Sequence, residues 1–132
     1  MIDTHVHVVA TDRQRYSLDR FDHPGSGWVE EAPDAVALVP AMAAAGIDGA
    51  VLVQPHGAYR YDNSYVCDAA AAHGEFRSVV IIDMASPDRR NDLARWIDRG
   101  ASGLRLFSIP TPNTPWINDP STDTVWACLL YT

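Results

Sequence analysis

Short apolar runs alternate along the chain with stretches whose apolar residues recur at helical spacing. The apolar runs predict four strands, at residues 2–9, 49–54, 78–82 and 103–107. Capping and stop residues predict helices at 34–45, from 62 or 63 to 74, and at 86–100. Strands that alternate with helices favour a parallel sheet, because parallel neighbours need crossover connections. Two α/β architectures remain open: a doubly wound sheet, and a barrel of eight such units.

Three local features refine this prediction. A long polar loop is expected from 11 to 33, between the first strand and the first helix. Pro40 lacks a backbone donor, so it predicts either a kink or a helix that begins near it. Leu93, Trp96 and Ile97 have the i, i+3, i+4 spacing of a buried helix face.

Composition indicates an ordinary globular chain. Its 132 residues are 47% hydrophobic, which is enough for one core. The formal charge of −7 disfavours nucleic acid as a partner. No apolar run approaches the roughly 20 residues of a membrane span, and no secretory signal is visible. Cys67 and Cys128 lack a CxxC spacing and are expected to be free, buried thiols, which favours a cytoplasmic location.

Candidate chemistry begins on the first predicted strand. His5 and His7 are two residues apart, so both imidazoles leave the same face of a regular strand. They lie toward the carboxyl end of the strand, the side on which barrel enzymes keep their active sites. Two imidazoles in reach of one cation suit zinc. Asp3 shares their parity, and it either faces inward beneath them or is a polar residue at the strand start.

An ordered set of motifs resembles the amidohydrolase superfamily, in its amidohydrolase-related branch. The motifs are IDTHVH at 2–7, VLVQP at 51–55, YDNSY at 61–65 and ASGLRL at 101–106. The resemblance covers the chain up to about Phe107. It implies a metal-dependent hydrolase whose chain forms a single incomplete domain over 1–132, the N-terminal half of a (β/α)8 TIM barrel. It also implies that His5 and His7 are catalytic residues and metal ligands.

The Gln-Pro and Asp-Asn-Ser pattern is most similar to the dicarboxylate lactonase subgroup, which hydrolyses 2-pyrone-4,6-dicarboxylate. This similarity implies that activated water opens a lactone or cyclic ester of a small carboxylate. A divalent metal, zinc first, would activate the water, although lactonases of this subgroup can use the histidines as hydrogen-bond donors instead. Decarboxylases of the same branch share the first motif, so decarboxylation stays open as an alternative.

Arg105 is the candidate for binding the substrate carboxylate. It lies in an otherwise apolar strand, where a guanidinium must be paired or face a wet cavity. At the carboxyl end of a barrel strand, its fork of donors matches a carboxylate. The alternative is an internal salt bridge to Asp3 or Asp83.

Further substrate contacts are expected from the loop after the second strand. Gln54 and His56 share one parity and are predicted to reach the mouth of the barrel, the opening at the carboxyl ends of its strands. Tyr59 and Asn63 are predicted to add hydrogen bonds. A purely structural role in the loop is the alternative for each of them. His56 departs from the subgroup, which more often has a small polar residue there.

The resemblance also implies elements that this sequence does not contain. A further His is expected on a fifth strand, and an Asp that acts as base is expected after the eighth. A full barrel needs about 250 residues, and residues 125–132 look like the start of a helix. The chain is therefore expected to be truncated and of very low activity alone. Its open strand edges predict self-association or dependence on a missing C-terminal half.

Two other classes compete with an enzyme. One is a non-catalytic remnant that binds a metal or a partner. The other is a small doubly wound nucleotide-binding module, which needs a glycine-rich turn after the first strand. Residues 8–11 contain no glycine, so the second class is disfavoured.

Overall fold

The computed structural model describes residues 1–19, 27–106 and 117–130, except for the side chain of Leu130. Within them, four parallel strands form one sheet in the order β1-β2-β3-β4. The strands are β1 Ile2–Val6, β2 Gly49–Val53, β3 Phe76–Val80 and β4 Gly103–Leu104. A spatial order that follows chain order is that of a barrel, whereas a doubly wound sheet reverses its order. The predicted α/β architecture is confirmed.

Helices connect and cover the strands. They are α1 Trp28–Glu31, α2 Ala35–Ala44, α3 His56–Tyr59, α4 Ser64–Ala72, α5 Arg89–Asp98 and α6 Asp123–Leu130. The short α1 and α3 lie in predicted loops, because four residues carry too little periodicity to be recognised. Phe107 and residues 131–132, which end predicted elements, lie outside the described residues. No described helix is long and apolar enough to cross a membrane, and the cytoplasmic location stays a prediction.

Local hydrogen bonds set the helix starts. The Asp34 carboxylate accepts from the backbone N–H of Ala37 at 2.8 Å, which confirms Asp34 as the cap of α2. Pro40 lies inside α2, so the expectation of a helix that begins near it is wrong. The helix predicted from Ser86 begins three residues later, at Arg89, because the Ser86 hydroxyl accepts a hydrogen bond within a turn that precedes the helix.

The first strand is shorter than its apolar sequence predicts. β1 pairs regularly with β2 at Asp3, but the register shifts by one residue before Val6, where the strand ends. Beyond it the chain leaves the sheet, and the N–H of Val9 donates to the Pro33 carbonyl at 3.0 Å. The shift interrupts the strict alternation of faces on which a parity argument depends.

The core lies between the sheet and its helices. Its most buried members include Leu52, Val66, Phe76, Val80 and Leu93, each exposed by 1% or less. The predicted stripe of α5 packs into this core through Leu93, Trp96 and Ile97, which confirms that prediction. A second, smaller cluster joins Val9, Val29, Ala58 and Tyr59 beneath the loops at the carboxyl edge of the sheet.

The two faces of β2 predict different costs of truncation. Leu52→Ala is expected to lower the free energy of unfolding by about 2–5 kcal/mol, because it leaves a cavity in the core. Its half-buried neighbour Val51 faces the other side of the strand, and Val51→Ala is expected to cost less than half as much. Urea unfolding of both variants measures the difference. Equal losses would contradict the assignment of the two faces.

Candidate functional site

The candidate site lies at the carboxyl edge of the sheet, where parallel strands end together. His7 follows β1, the Gln54–His56 segment follows β2, and Arg105 follows β4. Arg105 lies close enough to His7 and His56 for its charge to lower the pKa of both rings. The sequence predicts this edge of the sheet for the site, and the role of each residue stays a prediction.

His5 and His7 form a pair in spite of the register shift in β1. Their ring centroids are 4.9 Å apart, and the planes meet edge to face at 80°. His5 is exposed and His7 is half-buried. Asp3 uses a carboxylate oxygen to accept from the backbone N–H of His5 at 3.1 Å, so it supports the strand where the register shifts.

One hydrogen bond decides the tautomer of His7. Its Nδ1 lies 2.7 Å from the carbonyl oxygen of Val53. A carbonyl can only accept, so Nδ1 carries the proton and Nε2 keeps its lone pair. Burial is the largest influence on the ring and lowers the pKa of His7; the Val53 bond opposes that shift, and the charges of Arg105 and His5 add to it. The ring is therefore a neutral base at neutral pH.

Arg105 is the cation of the mouth. Its Nη1 donates to the carbonyl oxygen of Gln54 at 3.5 Å, the long limit of a hydrogen bond. Partial burial lowers the pKa of its guanidinium. A cation that is partly removed from water binds an anion more strongly than one on an open surface.

Three predicted substrate contacts are buried behind the mouth. Gln54 donates from Nε2 to the carbonyls of Arg60 and Asp62, at 3.2 and 2.7 Å. The Tyr59 hydroxyl accepts from a backbone N–H of the β1–α2 connection at 2.7 Å. Gln54 and Asn63 are 0% exposed and Tyr59 is 2% exposed. In the structure these side chains hold the loops that form the mouth, which is the alternative that the sequence leaves open, and their contact with a substrate stays a prediction.

Asn63 is the most completely engaged of these three residues. Its Nδ2 donates to the carbonyls of Tyr61 and Ile81 at 2.9 and 2.8 Å, and its Oδ1 accepts from the N–H of Ile81 at 2.8 Å. The Asn63 amide thus satisfies both backbone groups of Ile81, directly after β3, as a neighbouring strand would. Asp62 takes over the start of α4 by accepting from the N–H of Ser64 at 3.0 Å.

His56 reaches the mouth by a different route from the predicted one. It begins α3, so the strand parity that was expected to align it with Gln54 does not apply. Its ring packs edge to face against Tyr61, with centroids 5.2 Å apart. Burial is the main cause that lowers the pKa of His56; the charges of Arg105 and Arg60 act in the same direction, and Asp19 opposes them.

The described residues do not complete a metal site. His5 and His7 supply two imidazoles, and the Nδ1 bond of His7 to a carbonyl is the support that a metal-bound histidine usually has. A zinc site needs at least three protein ligands. No group of three His, Cys, Asp or Glu residues that could hold an ion occurs in 1–19, 27–106 or 117–130. The described residues therefore supply two of the ligands that such a site would need.

Sequence reasoning missed one aromatic group at the mouth. Trp28, on α1, lies beside His7 with a centroid distance of 5.6 Å and a tilt of 33° between the planes. It belongs to the polar loop predicted over 11–33, where no periodicity marks it. A lone tryptophan among polar residues was the one available signal. His23, in the same loop, lies outside the described residues.

Removing the amide of Asn63 is expected to destabilise the chain strongly. Asn63→Ala leaves the buried N–H and carbonyl of Ile81 without their partner, so we expect a loss of about 2–4 kcal/mol in the free energy of unfolding. Ser64→Ala, one residue away at the start of α4, is the control and is expected to cost less than about 1 kcal/mol. Urea unfolding measures both variants. An unchanged midpoint for Asn63→Ala would contradict the role of the Asn63 amide in holding the backbone of Ile81.

Stability is expected to fall as the pH drops below about 6.5. The pKa of His56 is lowered in the folded chain, so the unfolded chain takes up the proton first and gains stability from it. The loss of stability of the folded chain is absent above the pKa that His56 has in the unfolded chain. It grows as the pH falls toward the lower pKa that His56 has in the folded chain. His56→Gln should make the decline between pH 7.5 and 5.5 shallower, as measured by urea unfolding. His73→Gln is the control, and a matching effect there would contradict the assignment.

Comparison with known proteins rests on structure alone, since no family model and no curated protein matches this chain. A probable 2-pyrone-4,6-dicarboxylic acid hydrolase from Acinetobacter baumannii, solved with citric acid bound, has a TM-score of 0.65 at 23% identity, over 96% of this chain and 46% of its own. An apo protein from Agrobacterium tumefaciens gives 0.58 at 23% identity, over 83% and 37%. A Pseudomonas putida protein, provisionally assigned the same hydrolase activity, gives 0.57 at 23% identity, over 84% and 38%.

The chain therefore spans less than half the length of each of these structures. The match, together with the strand order, identifies the architecture. The chain has the fold of the N-terminal half of a TIM-barrel-like structure.

Proposed function

We propose that this chain forms part of the active site of a hydrolase that opens a lactone or cyclic ester of a small carboxylate with an activated water. The observation that carries the proposal is the tautomer of His7, whose Nδ1–H is held by Val53 so that Nε2 is the basic nitrogen. The hydrolase assignments of the Acinetobacter and Pseudomonas proteins support a dicarboxylated pyrone as the substrate class.

The proposed chemistry adds one water across the acyl C–O bond of the ring. The water oxygen bonds to the carbonyl carbon, the ring C–O bond breaks, and the ring oxygen leaves with a proton, so that a new carboxylic acid forms. Nε2 of His7, neutral because burial lowers its pKa, accepts the proton of the attacking water. His5, with its ring 4.9 Å away, donates a hydrogen bond to the carbonyl oxygen as negative charge develops there.

Arg105 has the role of binding a substrate carboxylate. Its guanidinium lies on the same edge as His7, and its charge acts on that ring. A planar fork of donors pairs with both oxygens of a carboxylate and fixes its direction. This pairing would hold the ring of the substrate at a set distance from the imidazoles, which is the main source of rate when no covalent intermediate forms.

A divalent metal, with zinc favoured by its preference for imidazole, is the proposed alternative to this base mechanism, and it would take His5 and Nε2 of His7 as ligands. When bound, such an ion would polarise the carbonyl and lower the pKa of a bound water. The remaining ligands would come from outside the described residues. Further strands would also come from outside the described residues. β1 and β4 end the described sheet, and strands that paired with these two edges would close the barrel.

Substrate recognition is tested by binding of 2-pyrone-4,6-dicarboxylate, measured by calorimetry. Arg105→Gln is expected to weaken binding about 10- to 100-fold, because a charge-assisted pair is lost. Arg77→Gln is the matched control, since this guanidinium lies at the other end of the sheet, where it donates to the Gly74 carbonyl. Equal affinity of Arg105→Gln and the unmodified chain would contradict the proposed role.

Ring opening is followed in the same samples by the loss of pyrone absorbance, with the chain in excess over the substrate. His7→Gln is expected to abolish the reaction while binding through Arg105 persists. Ring opening at an unchanged rate in His7→Gln would show that His7 is not the base of this reaction.

A further inference from the structure

We infer that Trp28 is a specificity-determining residue: its indole is the wall against which a flat, unsaturated substrate ring stacks. The inference rests on the proposed function, because it concerns the substrate of the same mouth. It adds a reason why a conjugated ring would be chosen over a saturated one with the same carboxylates.

The helix that carries Trp28, α1, is fixed in place although it has only four residues. Val29, the neighbour of Trp28, is 0% exposed and packs in the small cluster with Val9 and Ala58. The helix is closed by a hydrogen bond from the N–H of Ala32 to the Trp28 carbonyl at 2.9 Å. The backbone that carries the indole is therefore anchored, and ordering it on binding costs little.

The indole of Trp28 lies between the segment that carries His7 and the segment that carries His56. One neighbour is His7, at a centroid distance of 5.6 Å. On the α3 side, a Cβ added at Gly57 would lie 3.5 Å from Cζ2 of the indole, so the glycine backbone next to His56 lies close to the ring. The indole thus lies close both to His7, the proposed base, and to the backbone beside His56.

The indole of Trp28 also keeps an open surface. Trp28 is 38% exposed, although its neighbour Val29 is fully buried. A binding site for a small molecule combines an apolar wall with a few convergent polar groups. His7 and Arg105 are such groups, and Trp28 supplies the wall. A carboxylate on Arg105 and a ring on Trp28 would place the substrate beside the basic nitrogen of His7.

The test compares two probes that differ only in flatness. Benzene-1,3-dicarboxylate and cis-cyclohexane-1,3-dicarboxylate have the same charge and the same 1,3 arrangement, but only the first can stack. Trp28→Leu is expected to weaken binding of the flat probe about 3- to 10-fold and to leave the saturated probe unchanged, as measured by calorimetry. Trp28→Phe should retain most of the difference.

Controls separate this inference from the proposed function. Trp126→Leu makes the same change on α6, which packs on α5, and is expected to affect neither probe. If Trp28→Leu weakens both probes equally, or neither, stacking is overturned, while the carboxylate site stands as long as Arg105→Gln weakens both. If Arg105→Gln weakens neither probe, the proposed function fails instead.

A second measurement uses the unmodified chain, in case Trp28→Leu does not fold. The flat probe is expected to quench indole fluorescence and the saturated probe is not. The quenched component is assigned to Trp28 by its absence in Trp28→Phe. No quenching by the flat probe, or equal quenching by both, would overturn the inference.

Discussion

The mouth of this sheet depends on one hydrogen bond, from Nδ1–H of His7 to the carbonyl of Val53. β1 ends at Val6 and β2 at Val53, so this bond continues the pairing of the two strands with a side chain where the backbone ladder stops. Because the acceptor is a carbonyl, the bond also decides which ring nitrogen is basic. The pairing of β1 with β2 and the position of the basic nitrogen of His7 therefore depend on the same contact.

The buried amides extend this principle to the loops. Asn63 satisfies the backbone at the end of β3, and Gln54 satisfies the loop that leads into α4. A buried carbonyl or N–H without a partner is costly, so each amide fixes the path of the chain that it serves. The Gln54 amide thus helps to fix the loop that follows His56. In a loop-built mouth, such support is a condition for any fixed geometry.

The sequence predicts the order of elements well, because apolar runs and caps such as Asp34 are local signals. It also predicts that His7 and Arg105 share an edge, since parallel strands end together. The sequence does not distinguish a side chain that binds substrate from one that holds a loop by hydrogen bonds. A polar residue after a strand, such as Gln54, has the same pattern in both roles. The register shift in β1 and the place of Trp28 depend on tertiary pairing, which leaves no periodic trace.

Burial at the mouth lowers the pKa of both His7 and Arg105, but the consequences for the two groups differ. Burial lowers the pKa of His7, which keeps a base neutral and useful, but it also disfavours the cation of Arg105. Any strand or helix that covered the mouth further would strengthen both effects. In the proposed function, a substrate carboxylate would bring a negative charge to the guanidinium while leaving the imidazole neutral. A cation and a neutral base at one edge of the sheet are therefore consistent with the anionic substrate that we propose.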